Sequence, residues 1–566
     1  MLNIAERFAA VAAANADKVA LWVPVKRRGR RDYLPQSFAE SARKCDGYAH
    51  LLRRAGVERG AKVLLMVRPG FDLVPLAFAL FKLGAVPVLI DPGLGVRGLL
   101  RAVRQVEPAA FIGIPAAHLL RLLSPASFRA VRHFFVIGPH HLGATRSLPR
   151  MLAEMRGKPL AEGSSWAPFP VAATAPDETA AILFTSGSTG PAKGVVYTHR
   201  IFDAQVRLLH EAYGIGPGDC DLPCFPLFGL FSTALGATAV IPHMDFTRPA
   251  KVAPRAIVEP IRRFHVTYSF GSPALWETVG AWCARRGERL PGLRRIFMSG
   301  APAPAALHRL LLEQVLDPGA ETHTPYGATE SLPVADITGH EVLAETAART
   351  AQGAGTCVGR PVPGIEVRIL PITDGPLPAY PEGAELPPGE IGEIAVRGEV
   401  VTPAYYGLEE ATALAKMRDA QGRLWHRIGD VGHLDAQGRL WFCGRKAHRV
   451  RTPHGPLFTI TCEAIFRNHP DVHRAALVGV GDAAAAAQVP VMVIEPNPGR
   501  FPCTARRRAE FARQLLGLGA ASPVTAGIRQ IFFRKAFPVD IRHNAKIRRE
   551  ELALWAAARL GRHRGG

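Results

Sequence analysis

Residues 180–194 read Ala180-Ala-Ile-Leu-Phe-Thr-Ser-Gly-Ser-Thr-Gly-Pro-Ala-Lys-Gly194. The first five residues are an apolar run of strand length, and the stretch after them is rich in glycine and hydroxyl groups. Thr185, Ser186, Gly187, Ser188, Thr189 and Gly190 can wrap an anion with backbone N–H and hydroxyl donors, and Lys193 adds a point charge. The Walker A spacing fails, because Lys193 follows Ala192 and precedes Gly194. A buried strand that opens into such a turn belongs to an α/β protein that binds phosphate at a strand end.

The same texture extends to both sides. Val63–Val67, Phe71–Leu83 and Ala85–Ile90 read strand, helix, strand, which is a βαβ unit with a parallel sheet. Phe134–Ile137, Val266–Phe270 and Arg295–Met298 continue the alternation, giving a large α/β body. Between residues 353 and 445 short strand-like runs alternate with Gly and Pro turns, as expected of a small β subdomain. Past Lys446 the pattern resets: Glu463–Asn468 and Ala505–Leu516 read as helices, Val472–Val480 and Val489–Ile494 as strands. The expected division is an N-terminal body, residues 1–445, and a smaller α+β C-terminal unit, residues 446–566.

Composition narrows the function. With 566 residues, 48% apolar and 21% charged, the chain is globular and needs no disulfide or metal staple. Its eight cysteines form no repeated CxxC pairs, which argues against a zinc cage. The net charge of +21 comes from dispersed basic residues in short clusters, such as Lys26–Arg31 and Arg506–Arg508. That pattern disfavours a nucleic-acid partner and suits anionic small substrates, acidic proteins or peripheral contact with an anionic membrane. The N-terminus lacks a basic, apolar leader, and the most apolar stretch, Leu73–Ile90, is broken by Pro75, Lys82 and Pro87. A soluble cytoplasmic protein without a transmembrane segment is expected.

Six further segments come after the 185–194 loop in order: Ser299-Gly-Ala-Pro302, Tyr326-Gly-Ala-Thr-Glu330, Val358–Gly364, Gly389–Gly398, Arg427-Ile-Gly-Asp430 with Gly444-Arg-Lys446, and Asn544-Ala-Lys-Ile547. Together they resemble the motif series of the adenylate-forming, AMP-binding enzymes, over about residues 180 to 550. The resemblance implies an enzyme that joins a carboxylate to the α-phosphate of ATP with Mg²⁺ and expels pyrophosphate. Both reactants are anionic, so such a site must screen charge and hold an in-line geometry.

By that resemblance, the 185–194 loop holds the β- and γ-phosphates. Gly300, Ala301 and Pro302 form the adenine-side loop, with Tyr326 stacking on the base and Gly327 beside it. Thr329 contacts the α-phosphate and Glu330 holds Mg²⁺. Asp430 accepts from the ribose hydroxyls, Arg445 sits beside the ribose at the domain junction, and Lys546 bridges the carboxylate and the α-phosphate.

Two departures refine the expectation. Gly229, in Phe225-Pro-Leu-Phe-Gly-Leu-Phe231, stands where relatives carry a histidine, which suggests a wider apolar slot. Past the hinge, where CoA ligases carry a Lys- and Gly-containing loop, Pro453 and Pro456 remove backbone donors. With Thr459-Ile-Thr-Cys-Glu-Ala-Ile-Phe466, these features are similar to the olefin β-lactone synthetases. That likeness implies a long-chain 2-alkyl-3-hydroxy acid substrate whose own hydroxyl closes the lactone. It also implies an assembly with condensing, reducing and decarboxylating enzymes of a hydrocarbon pathway. A fatty acyl-CoA or acyl-AMP ligase stays open as the alternative, as does a non-catalytic nucleotide-binding assembly protein. The base for lactone closure is unassigned, and His448 and His454 read as solvent-facing.

Overall fold

The computed structural model describes the chain apart from residues 1, 28, 139–144, 157–166, 186–191, 540–546 and 565–566. The expected α/β body contains two seven-stranded sheets. In one, strands lie in the order Arg146–Ser147, His133–Val136, Ala110–Gly113, Lys62–Met66, Val86–Ile90, Thr179–Thr185, Lys193–Thr198. All neighbours are parallel except the last pair. In the other, Glu321–His323, Arg295–Met298, Tyr268–Gly271, Cys220–Pro223, Thr238–Val240 and Val19–Arg27 are parallel, and Arg30–Ser37 adds an antiparallel edge.

Helix Leu73–Leu83 is buried at every position, which explains why its sequence is apolar all round rather than striped. Its one charge, Lys82, pairs with the largely buried Asp46. Gly84 ends the helix at φ +68°, where a side chain would be strained and would crowd Arg59 and Ala172. Because this helix spends its apolar surface inside the body, Leu73–Ile90 is a core segment. Among the described residues no helix is long and apolar enough to cross a membrane.

The β-rich part begins earlier than its turn-rich composition suggested. Strands Tyr326–Ala328 and Ser331–Asp336 already belong to it, leading through Thr356–Pro361 to Leu440–Arg445, Leu424–Leu434, Gly392–Arg397 and Glu366–Leu370, all antiparallel. The short strand Lys416–Arg418 pairs with Leu424–Leu434 off this path. Beyond Arg445 a three-stranded sheet, Val472–Val480, Val489–Pro496 and Gln530–Phe533, packs with helices Thr459–Arg467, Ala505–Ala520 and Arg549–Arg564.

Candidate active site

A cavity of about 1720 Å³ runs between the sheets, and the motif residues meet on its walls. Gly300, Ala301 and Pro302 follow the parallel strand Arg295–Met298, whose C-terminal end faces the cavity as parallel sheets favour. Gly300 has φ +89°, a conformation that suits glycine. Ser299 Oγ donates to Pro325 O at 3.1 Å, tying this loop to the start of the Tyr326–Glu330 segment. At the other parallel sheet, Thr185 and Lys193 face one another across the antiparallel pair. The residues between them in the predicted phosphate loop, Ser186, Gly187, Ser188, Thr189 and Gly190, lie outside the described residues, as does Lys546. Gly194 is required where it stands, because a Cβ there would lie 2.6 Å from the Phe184 ring.

Glu330 is held from several directions. Tyr405 donates its hydroxyl to Glu330 Oε1 at 2.7 Å, and the buried Thr402 donates to Glu330 O through its N–H at 2.9 Å and its Oγ1 at 3.0 Å. Burial, reinforced by the Glu330 carboxylate, pushes the Tyr405 phenol far above its usual range, so it stays a donor. Lys193 Nζ lies 4.6 Å from the centroid of the Tyr405 ring, over its face. Thr329 O accepts from Tyr197 at 2.6 Å. Behind this group Lys416 is buried with Nζ 3.4 Å from Thr402 Oγ1, and burial brings its ammonium down to about 7.

The second constellation joins two strands. Tyr326 donates to Asp430 Oδ2 at 2.6 Å, and Asp430 faces Arg445 directly across the ladder, with Arg445 Nη1 2.9 Å from Oδ1. Asp430 is 3% exposed, and its carboxylate holds the Arg445 guanidinium firmly protonated. The next residue, Lys446, bonds Glu393 Oε1 at 2.7 Å and Thr373 O at 2.8 Å, and Glu393 also takes Arg427 at 2.7 Å. The turn after Arg445 is thus anchored to the β-rich part by a buried ionic cluster.

The residues fit the groups their motifs imply. Glu330 lines the cavity, and no group of three or more metal-ligating side chains exists among the described residues. One carboxylate plus substrate phosphate oxygens suits Mg²⁺, which dehydrates reluctantly and needs no protein cage. At the apolar end, Phe228 stacks on Phe270 at 3.9 Å, and Phe78, Phe81, Phe202, Leu230 and Phe231 line the same cavity.

Gly229 corrects an expectation. It is buried in helix Phe228–Ala234 and is absent from the cavity wall; a Cβ there would meet Pro223 at 3.7 Å. Its neighbours Phe228, Leu230 and Phe231 shape the slot. His448 corrects another: its side chain is only 10% exposed and its Nε2 meets Glu550 Oε1 at 3.2 Å, whereas His454 is exposed as expected. The loop past the hinge is a hairpin, Val450–Thr452 with Gly455–Leu457, with Pro453 and His454 as its two-residue turn. Arg449 donates to Asp374 at 2.8 Å, and Arg451 joins the same carboxylate.

The profile of the AMP-binding enzyme family matches residues 8–406. The chain belongs to that family. It is an adenylate-forming ligase, and enzymes of this family use ATP. Similar relatives include the olefin β-lactone synthetase of Xanthomonas campestris, 45% identical with 98% of each chain covered. That of Stenotrophomonas maltophilia is 44% identical, covering 99% of this chain and 98% of its own. Among solved structures, the amide bond synthetase McbA from Marinactinospora thermotolerans superposes with TM-score 0.75 at 23% identity, covering 98% of this chain and 99% of its own. ATP-bound MatB from Rhodopseudomonas palustris gives TM-score 0.75 at 20% identity over the same shares, a likeness of fold. Motif reading does not find Tyr405, Thr402, Tyr197 or Lys416. Tyr405 carries one signal: it sits at the end of the family match.

Proposed function

We propose that the enzyme activates a long-chain 2-alkyl-3-hydroxy acid with ATP and closes it to a β-lactone. A carboxylate oxygen attacks the α-phosphorus of ATP, pyrophosphate leaves, and an acyl-adenylate forms. The substrate's 3-hydroxyl oxygen then attacks the acyl carbon, the bond from acyl carbon to phosphate oxygen breaks, and AMP departs. The hydroxyl proton passes to an unassigned base or to the departing phosphate. The internal nucleophile gains orientation without a second substrate, although ring strain offsets part of that gain.

In this reading Gly300–Pro302, Tyr326 and Gly327 take the adenine, and Asp430 with Arg445 takes the ribose. The 185–190 loop and Lys193 hold the outer phosphates, and Thr329 contacts the α-phosphate. Glu330 holds Mg²⁺, which when bound neutralises phosphate charge. Lys546, from a C-terminal unit beginning at Lys446, completes the adenylation site. Partnership with condensing, reducing and decarboxylating enzymes follows from the same reading.

The observation that carries the reading is identity of 45% along 98% of the chain with a named β-lactone synthetase, C-terminal unit included. The hairpin with Pro453 and Pro456 supports it, because those residues offer no N–H. Incubation of a synthetic 2-alkyl-3-hydroxy acid with ATP and Mg²⁺, without CoA, should give lactone and AMP in equal amounts. Absolute dependence on CoA would refute it.

A further inference from the structure

Helix Pro115–Leu123 packs Ala117 and Leu120 on the core but turns three leucines outward. It buries His118 completely, with Nε2 2.9 Å from Phe135 O and the ring 4.5 Å from that of Phe111. Leu119, Leu122 and Leu123, spaced i, i+3, i+4 on one stripe, are 49%, 58% and 82% exposed. Folding of the chain alone leaves these leucines in water, although burying them is what the hydrophobic effect favours. Only six large apolar side chains are exposed among the described residues; these are three of them, and Val96 is a fourth.

Val96 lies in the first turn of the neighbouring helix Gly95–Val106, which shares one core with Pro115–Leu123 on the same sheet face, and Arg104 donates to Ser127 in the following turn at 2.9 Å. Residues 92–132 carry six arginines and one acid, Glu107. Arg97 and Arg101 are exposed and make no ion pair with the described residues, and the Arg121 guanidinium packs on the Phe134 ring at 4.3 Å. Leucines flanked by arginines match a bilayer interface, where apolar chains enter the acyl boundary and guanidinium groups meet anionic headgroups. The surface also adjoins the active-site cavity: Ile114 and Ala117 from the inner side, with Pro92 and Gly93, line it.

We propose that this face docks the enzyme on an anionic lipid bilayer, so that a long-chain acid passes from the membrane into the cavity at Ile114 and Ala117. The docking rests on the lactone reading only in taking the substrate to be membrane-borne, and its readout is separate from product analysis.

Flotation with vesicles tests it. The full-length protein should bind phosphatidylcholine vesicles containing about one third phosphatidylglycerol, and release as salt rises. Leu122→Glu with Leu123→Glu should cut the bound fraction about tenfold, and Arg97→Ser with Arg101→Ser should weaken it. Both variants should keep wild-type melting and pyrophosphate release with a water-soluble short-chain acid, because none of these side chains lines the cavity. A wild-type protein that ignores anionic vesicles, or a leucine variant that binds them equally, overturns the proposal. So does loss of binding only on replacing Arg506, Arg507 and Arg508, which would put the contact elsewhere. A leucine variant that drops to a smaller oligomer while vesicle binding persists would mark a protein interface instead.

Discussion

Arg445 lies 2.9 Å from Asp430 across adjacent strands, and it is the last residue before the turn that Lys446 anchors to Glu393. One carboxylate thus serves two purposes in the proposed site: it lines the cavity and it fixes the arginine that ends strand Leu440–Arg445. Asp430→Asn keeps the shape and removes the charge, leaving Arg445 without its ionic partner. The Michaelis constant for ATP should rise about tenfold or more, while that for the acid changes little. Initial rates of pyrophosphate release against each substrate measure the split, and equal changes in both would show a general loss of structure.

Glu330 and Tyr405 yield a graded prediction. Glu330→Gln removes the carboxylate and should raise the Mg²⁺ requirement about tenfold or more. Tyr405→Phe removes only the hydroxyl that orients Oε1, so a rise of about two- to fivefold is expected. Mg²⁺ titrations at saturating ATP compare the two. A Tyr405→Phe effect as large as that of Glu330→Gln would mean the phenol itself contacts the nucleotide.

If Lys546 has the role proposed above, Lys546→Ala should lower pyrophosphate release by about 10²-fold, since a charge assigned to the adenylation step is lost. ATP binding, followed by calorimetry, should persist, because the residues proposed for the ribose and adenine, Asp430, Arg445, Gly300–Pro302 and Tyr326, all precede Lys446. Release at the wild-type rate would remove Lys546 from the reaction.

Asp221 predicts a pH dependence of stability. It is buried, accepts from Ser232 Oγ at 2.5 Å, and burial pushes its carboxyl up to about 8. Between about 3.9, the ordinary value of an unfolded-chain aspartate, and 8 the folded chain holds a proton the unfolded chain has lost, so stability falls as pH rises through that window. Asp221→Asn should match the wild type near pH 4 and exceed it at pH 8 by a few kcal/mol, since each pH unit across the window costs the wild type on the order of 1.4 kcal/mol. Denaturant melts at both values decide, and a difference independent of pH would contradict the assignment.

The fold and half of the site are legible in the sequence because they are local. Strand Arg295–Met298 can be read to the residue, and Thr179–Thr185 to within one residue at each end, since a largely apolar run that leads into a Ser-Gly pair leaves little choice. Tyr326, Glu330, Asp430 and Arg445 sit in compact motifs whose chemistry can be read in order. Tyr405, Thr402 and Lys416 cannot be read this way, because their closeness to Glu330 depends on a bridge between Val195 and Tyr405 and on the register of Lys416 with His426. Gly229 misleads for the same reason: the motif marks a place in the chain, whereas the turn of a helix decides which way its Cβ would point. The outward leucines of Pro115–Leu123 carry no local sign either, since an apolar run reads as core until its packing is known.

In the proposed reaction the substrate's own hydroxyl is the second-step nucleophile, and a matched pair of acids isolates that step. Products from a 2-alkyl-3-hydroxy acid and from the same acid lacking the hydroxyl are identified by mass spectrometry, each with and without CoA. Lactone and AMP should form from the hydroxy acid whether or not CoA is present. The deoxy acid should stall as bound adenylate or leak slowly to water. A thioester formed from the deoxy acid, saturable by CoA and faster than any lactone, would rule out the internal nucleophile and identify a CoA ligase.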